Sequence, residues 1–523
     1  MEDDFPQNEM TRGSRDSGES NHKKIRFTPL YGLIIGLTVL HLIPIWACKY
    51  FPTQDGPCHL ENSYILLHYF DPDRVYKHYY DLNLDIFPNW FSHAFFVMLM
   101  RFVSPLIAEK VLLTIYMVAF VLTILYFLKS FGEERVFYSL LVFPFGYDYF
   151  MHMGFYNFSF SLSLMLLILA YWWRRRNRSG DGSFLWKLNF LLIGLYFCNI
   201  LSHLLTLLSL LILTFFHQRS NVVKTINFFM ALIPSWLLLL YYFSTRSIKT
   251  LGNWARGDWN YFSTIGSLVA FDTRDIYVGM ILGILFAILI IYTFLVKKRR
   301  LSQNLLPSES LEDVFLLLAI IFSSFYFLLP NYISKGDLVT PRLSRYPFLM
   351  ILPWLTPHLT KSAKYILGTT LTVLISIHFW FSISEYKNFN YGLEEYTAGI
   401  PWVEKNKTIL PINFSYGGGD ANKIGVYLHA ASYYALATGA IELLNYEGIK
   451  GYFPLKYKPY LDPYEKIGAL EDGMGNVHPW EYPQPIDYVL LWNSPEQFPA
   501  LTWIQRNYQL IYSKGRLKLY KKV

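Results

Sequence analysis

The chain has 523 residues, of which 53% are hydrophobic, 19% aromatic and only 16% charged. A water-soluble globular chain carries nearer a quarter of charged residues, and repeated apolar runs of about 18 residues or more exclude that class. The formal charge of +8 does not point to nucleic acid, because the Lys and Arg lie in short clusters between apolar runs, where they act as topology signals.

In chain order, residues 1–26 (MEDDFPQNEMTRGSRDSGESNHKKIR) are polar and lack an apolar core. They read as a disordered cytoplasmic tail and not as a cleavable signal peptide. Eleven apolar segments follow within a transmembrane module spanning 27–384: roughly 30–47, 106–128, 136–150, 154–173, 185–199, 201–216, 225–243, 277–296, 312–329, 344–358 and 363–384. With the N-terminus inside, every second connection is cytoplasmic. Those connections hold Lys129 and Arg135, RRRNR (174–178), Arg219 and Lys224, KKRR (297–300), and Lys361 and Lys364. All five are basic, as the positive-inside rule requires. The expected fold is a polytopic α-helical membrane protein of about eleven transmembrane helices.

The opposite face receives a first outer loop (48–105), shorter loops at 244–276 and 330–343, and the C-terminal 385–523. The first loop is expected to hold two interfacial helices, near 57–70 and 89–103. The C-terminal part carries short strand-like runs, TILPINF, DYVLLW and the pair YQLIY and LKLYKKV around SKGR. That pair predicts a hairpin, and 429–445 predicts a helix. The part reads as a small extracytoplasmic α/β domain. YGGGD (416–420) lacks the ending of a phosphate loop and reads as a turn. Cys48, Cys58 and Cys198 follow no metal-ligand pattern; a Cys48–Cys58 disulfide and two unrelated small residues both remain open.

Four polar clusters fall on that face. FPTQDGPCHLENS (51–63) holds Asp55, His59 and Glu61, and Pro57 suits the first turn of a helix. FPFGYDYFMHMGFYNF (143–158) holds Asp148, His152, Tyr156 and Asn157. NILSHLL (199–205) holds His203, and KGDLVTPRLSRYPF (335–348) holds Lys335, Arg342 and Arg345. Taken singly, each has a plain structural reading: a cap for Asp55 or Asp148, a packed histidine, arginines that snorkel to headgroups. Taken together, ionisable groups at membrane level face a cavity or a partner, which makes them candidate site residues.

With a cytoplasmic N-terminus, an acidic residue directly after the first span, interfacial helices behind it, many further spans and an outer α/β domain, the chain resembles the type C glycosyltransferases. That group includes protein O-mannosyltransferases and the aminoarabinose transferase of lipid A. QDGPCHLENSYIL and GFYNFSFSLSLMLL also resemble stretches of bacterial membrane proteins placed near it. The chain departs from the group in lacking a WWD-like motif and in having Gly56, not a second acid, after Asp55. The resemblance implies an inverting transferase in the plasma membrane that uses a polyprenyl-phosphate sugar donor, with membrane lipids around it and a glycan, lipid or protein acceptor. By it Asp55, with His59 and Asp148, is the candidate catalytic set. Arg342, Arg345, Lys335, His152, Tyr156, Asn157, His203 and Glu61 are candidate substrate contacts. A divalent cation (Mg²⁺ or Mn²⁺) on Asp55, His59 and Asp148 is the alternative to the arginines for neutralising the leaving phosphate; no metal ligand is assigned. The competing functional classes are a transporter or flippase of a lipid-linked glycan and a non-catalytic envelope assembly protein.

Overall fold

A computed structural model describes residues 29–178, 180–219, 221–245, 257–303, 310–332, 338–417, 424–468 and 477–523. The tail 1–26, Lys335 and the Gly418–Asp420 portion of YGGGD lie outside the described residues. The protein is mostly helical. Among the described residues, six helices are long and apolar enough to cross a membrane: Pro29–Ala47, Pro105–Lys129, Tyr156–Arg178, Ile200–His217, Asp275–Ser302 and Lys361–Trp402. Val222–Ala231 and Ile233–Thr245, bent by 60° at their junction, add a seventh if they form one span. Gly182–Cys198 and Asp313–Leu328 are apolar but shorter.

Six of the eleven expected segments are thus long continuous apolar helices, or seven with the bent pair, and the count of eleven spans is not confirmed. Two of the expected spans are not continuous helices. Residues 136–150 fold as short turns, Glu133–Tyr138, Ser139–Val142 and Phe143–Tyr147, and 344–358 contains Tyr346–Ile351 and Leu352–Trp354. Pro144 interrupts the first, and Pro347 and Pro353 the second; each removes a backbone donor and blocks a regular helix. Residues 139–148 are all buried, and irregular backbone of this kind is tolerated at membrane depth only when protein covers it.

Charged and polar groups separate along the bundle. The Tyr156–Arg175 helix, 20 residues and about 30 Å long, begins among polar residues and ends in Arg174, Arg175 and Arg176. At its basic end Trp173 packs on Phe315 (5.6 Å between centroids), beside the Arg135–Glu312 ion pair (2.5 Å) and Arg300, which contacts His358 at 2.7 Å. Basic connections distant in sequence therefore gather at one end.

The other end carries the strands: β1 (Tyr80–Leu82), β2 (Thr408–Asn413), β3 (Ile441–Glu442), β4 (Leu455–Tyr457), β5 (Tyr488–Trp492), β6 (Tyr508–Lys514) and β7 (Leu517–Lys522). Five of them form a sheet in the order β3-β2-β5-β7-β6, with β2 parallel to β3 and β5, and β7 antiparallel to β5 and β6. β6 and β7 are the hairpin that YQLIY and LKLYKKV predict, turned at Gly515 with φ +54°. The helix expected over 429–445 covers only Ser432–Thr438, because Gly439 takes the left-handed conformation (φ +73°) that ends a helix and releases the chain into β3. β1, from the first loop, pairs antiparallel with β4, so that loop is built into the C-terminal part.

The Gly56–His68 helix corrects a second expectation. It does not lie on a lipid interface: Gly56 to Ser63 and Ile65 are buried. Leu60 belongs to the core of the helical bundle and Ile65 to the core under the sheet, so one helix is shared by both. The Phe91–Leu99 helix is the partly exposed one, with Met98 open and Phe102 beyond its end 81% exposed. Cys48, Cys58 and Cys198 are free thiols.

Candidate functional site

A cavity of about 410 Å³ opens between the sheet-bearing part and the helix ends beneath it. Each of the four polar clusters supplies at least one wall residue: Asp55 and His59, Tyr156 and Asn157, Asn199, and Arg342. The C-terminal part closes it with His429, Tyr446, Lys450 and Phe453.

Asp55 is placed by backbone pairing. The Gln54 N–H donates to the His152 carbonyl (3.0 Å), and the Asp55 N–H to the Met153 carbonyl (3.1 Å). Gly154 then turns with φ +82°, and a Cβ there would stand 2.7 Å from the Gly56 nitrogen and 3.1 Å from the Asp55 Cβ. Only glycine meets both demands. Gly56 is constrained by space alone: a Cβ would lie 2.2 Å from Thr53 Oγ1 and 2.4 Å from the Tyr156 hydroxyl. A side chain after Asp55, a second acid included, does not fit this turn.

The Asp55 carboxylate accepts from Gln54 Nε2 (3.2 Å) and faces His429 Nε2 at 3.6 Å. Burial pushes the His429 imidazole down to about 3, so the ring beside Asp55 is neutral at ordinary pH. Arg342 also lines the cavity, with its guanidinium 4.5 Å over the Phe155 ring and 5.7 Å from the Phe158 ring. Lys450, from the turn after β3, adds a second cation to the lining.

His59 lines the same cavity, yet both ring nitrogens are engaged. Its Nε2–H donates to the Gly154 carbonyl (3.0 Å), and its Nδ1 contacts Glu447 Oε1. The other Glu447 oxygen lies 2.8 Å from His93 Nε2. Burial by itself would raise the Glu447 carboxyl; the imidazoles of His93 and His59 outweigh it and hold the group at about 2. Among the described residues, His59, His93 and Glu447 are the one His/Cys/Asp/Glu group with metal-ligating spacing. Asp55, His59 and Asp148 do not come together as a ligand set.

Of the other expected site residues, Asp148, Arg345, His152, His203 and Glu61 do not line the cavity, whereas Tyr156 and Asn157 do. Asp148 is fully buried; its Oδ1 caps the Tyr149–His152 turn by accepting from the Phe150 and Met151 N–H groups (3.1 and 3.2 Å). Its second oxygen faces the equally buried Arg345 guanidinium, so the pair is internal and neither lines the cavity. His152 is held between the Asp148 carbonyl (2.7 Å) and the Tyr386 hydroxyl (2.5 Å). His203 is buried and packs edge-on to Tyr196, with 5.7 Å between ring centroids. Glu61 points to the sheet, where burial and the neighbouring Glu442 carboxylate raise its carboxyl well above the usual range. Tyr156 reaches the cavity edge while its hydroxyl donates to Glu109 (2.5 Å). Asn157 accepts from the Ser92 N–H (2.8 Å) and donates to the Asn89 carbonyl (3.0 Å), which fixes the turn that bounds the cavity.

His429, Lys450, His93 and Glu447 escape sequence reasoning because they stand alone in the chain, with no neighbour pattern to single them out. No protein-family model and no curated protein matches the chain, so the chemistry of the cavity rests on its own groups.

Proposed function

We propose that the chain is a membrane-embedded, type C-like glycosyltransferase. It moves a sugar from a polyprenyl-phosphate donor to an acceptor hydroxyl in this cavity, at the extracytoplasmic face. One observation carries the reading: Asp55 and Arg342, distant in sequence, border a single hollow at the polar end of the helices. The donor's chemistry matches that arrangement. A lipid tail needs the apolar bundle, a phosphate needs cations beside it, and an acceptor hydroxyl needs a base opposite them.

Arg342 and Lys450 hold the phosphate; a guanidinium can do so through two parallel hydrogen bonds. Asp55, at the start of the Gly56–His68 helix, accepts the acceptor's proton as that oxygen bonds to the anomeric carbon. The bond from that carbon to the phosphate oxygen breaks, and polyprenyl phosphate leaves with the electron pair against the two cations. A single displacement of this kind inverts the anomeric centre. Neutral His429 keeps Asp55 oriented. His59 takes no part in this step, because both of its nitrogens are already engaged.

The test is transfer of label from a polyprenyl-phosphate sugar by the purified protein. Asp55→Asn is expected to lower turnover by about 10²-fold or more, the usual range for loss of a general base. Arg342→Ala is expected to raise the donor concentration needed for half-maximal rate. A folded Asp55→Asn protein with full turnover sinks the assignment. Donor movement across vesicles without release of polyprenyl phosphate points instead to a transporter.

A further inference from the structure

Three elements that are far apart in the chain converge beside the cavity. His59 comes from the Gly56–His68 helix, His93 from the Phe91–Leu99 helix, and Glu447 from the turn between β3 and β4. All three are buried, His93 and Glu447 completely, and their ligating atoms lie within 4.8 Å of one another. Such a carboxylate needs a cation or a set of donors between its oxygens and whatever faces them.

The hydrogen bonding defines the geometry. The His59 Nε2 faces a carbonyl oxygen, which only an N–H can satisfy, so the nitrogen turned toward Glu447 is Nδ1. In a neutral ring that nitrogen carries a lone pair, and a lone pair against a carboxylate oxygen repels. A positive charge has to sit between them, either a proton or a metal ion. A carbonyl that accepts the outer N–H of an imidazole is the usual arrangement behind a metal-bound histidine.

We infer that His59, His93 and Glu447 bind one divalent transition-metal ion of the zinc type. Two imidazole nitrogens and one carboxylate suit Zn²⁺ and its neighbours, whereas Mg²⁺ and Ca²⁺ prefer all-oxygen sets. A tetrahedral site with bonds of about 2.0–2.2 Å places its ligand atoms roughly 3.4 Å apart; the three ligand atoms here lie within 4.8 Å of one another, and the closer imidazole–carboxylate contacts, such as His93 Nε2 to Glu447 at 2.8 Å, would open by a few tenths of an ångström or more around the ion. The ion ties the first loop to the C-terminal part, next to the reciprocal Asn62–Asn445 hydrogen bonds (3.0 Å each) that cross the same boundary. Three protein ligands leave a fourth position, as in catalytic zinc sites. His59 is also a wall residue of the cavity. This site stands apart from the transferase reading: it holds whether or not a sugar is transferred.

The experiment uses the full chain in detergent, without a polyhistidine tag, stripped with a chelator and titrated with Zn²⁺ and with Co²⁺. One equivalent per chain is expected, with visible Co²⁺ bands of a nitrogen- and oxygen-ligated site, and excess Mg²⁺ should not compete. His93→Ala and Glu447→Gln should each weaken uptake by more than about 10²-fold, beyond the roughly 10–100-fold that loss of an outer-shell partner causes. His93→Cys should retain the ion and add a thiolate-to-Co²⁺ charge-transfer band. A stripped wild-type chain that takes up no ion at micromolar free Zn²⁺ overturns the inference and leaves a shared proton as the cation. Uptake that survives both His93→Ala and Glu447→Gln also overturns it. If those two variants do not fold, the wild-type stoichiometry and the His93→Cys spectrum still decide.

Discussion

Three residues apart, Arg342 and Arg345 have different surroundings. Arg342 lies on a cavity wall over Phe155, while Arg345 is fully buried against Asp148. Removing one member of a buried ion pair strands the other charge, at a cost of about 3–5 kcal/mol. Arg345→Met should therefore lower stability by that order in thermal denaturation in detergent. Arg342→Ala should stay within about 1 kcal/mol of wild type, as changes at partly exposed positions commonly do. Equal melting losses for the two would contradict this division. The sequence marks both arginines as candidates because each precedes an apolar run; it carries no sign of which one is buried against Asp148. The histidines behave alike. His59 stands out through its nearness to Asp55 in the chain, yet the imidazole that faces the carboxylate is His429.

Among the elements, the Gly56–His68 helix is the most instructive. Its spacing of Leu60, Tyr64 and Leu67 is amphipathic, which suits a lipid interface. The same spacing suits a helix wedged between two protein cores, because hydrocarbon and protein interior are alike apolar. What differs is the polar side. Here Asn62 pairs with Asn445, and the Ser63 hydroxyl donates to the His59 carbonyl (2.7 Å), so groups that would have faced water are satisfied internally. Leu60→Ala should cost about 2–5 kcal/mol, the range for a buried cavity, measured as a melting shift. A loss under about 1 kcal/mol would return the helix to the interface. The two interrupted segments near 144 and 347–353 teach the converse. Their prolines are visible in the sequence, but a hydropathy window averages over them and registers only an apolar run.

At the scale of the whole molecule, the first loop and the C-terminal part form a single layer over the helix ends, joined by β1 and β4. The register opposes Asp81 to Lys456, and directly opposed antiparallel residues have Cα atoms about 4.5–5.5 Å apart, within reach of a disulfide. Asp81→Cys with Lys456→Cys, in a chain whose three native cysteines are replaced, should cross-link under mild oxidation. Proteolysis between the two positions would then leave one band until reduction; two separate fragments would show that the layer is not joined this way. By itself the sequence determined a chain of repeated apolar helices with basic connections, a polar face opposite them and a C-terminal hairpin, because hydropathy, charge and turn chemistry act over a few residues. Only the tertiary structure decided which charges meet. A buried charge is stable where a partner waits, and Glu447, which meets His59, stands 388 residues along the chain. No local pattern encodes a contact over that distance, so the cavity, the Asp148–Arg345 pair and the His59–His93–Glu447 cluster become visible only when the chain is folded.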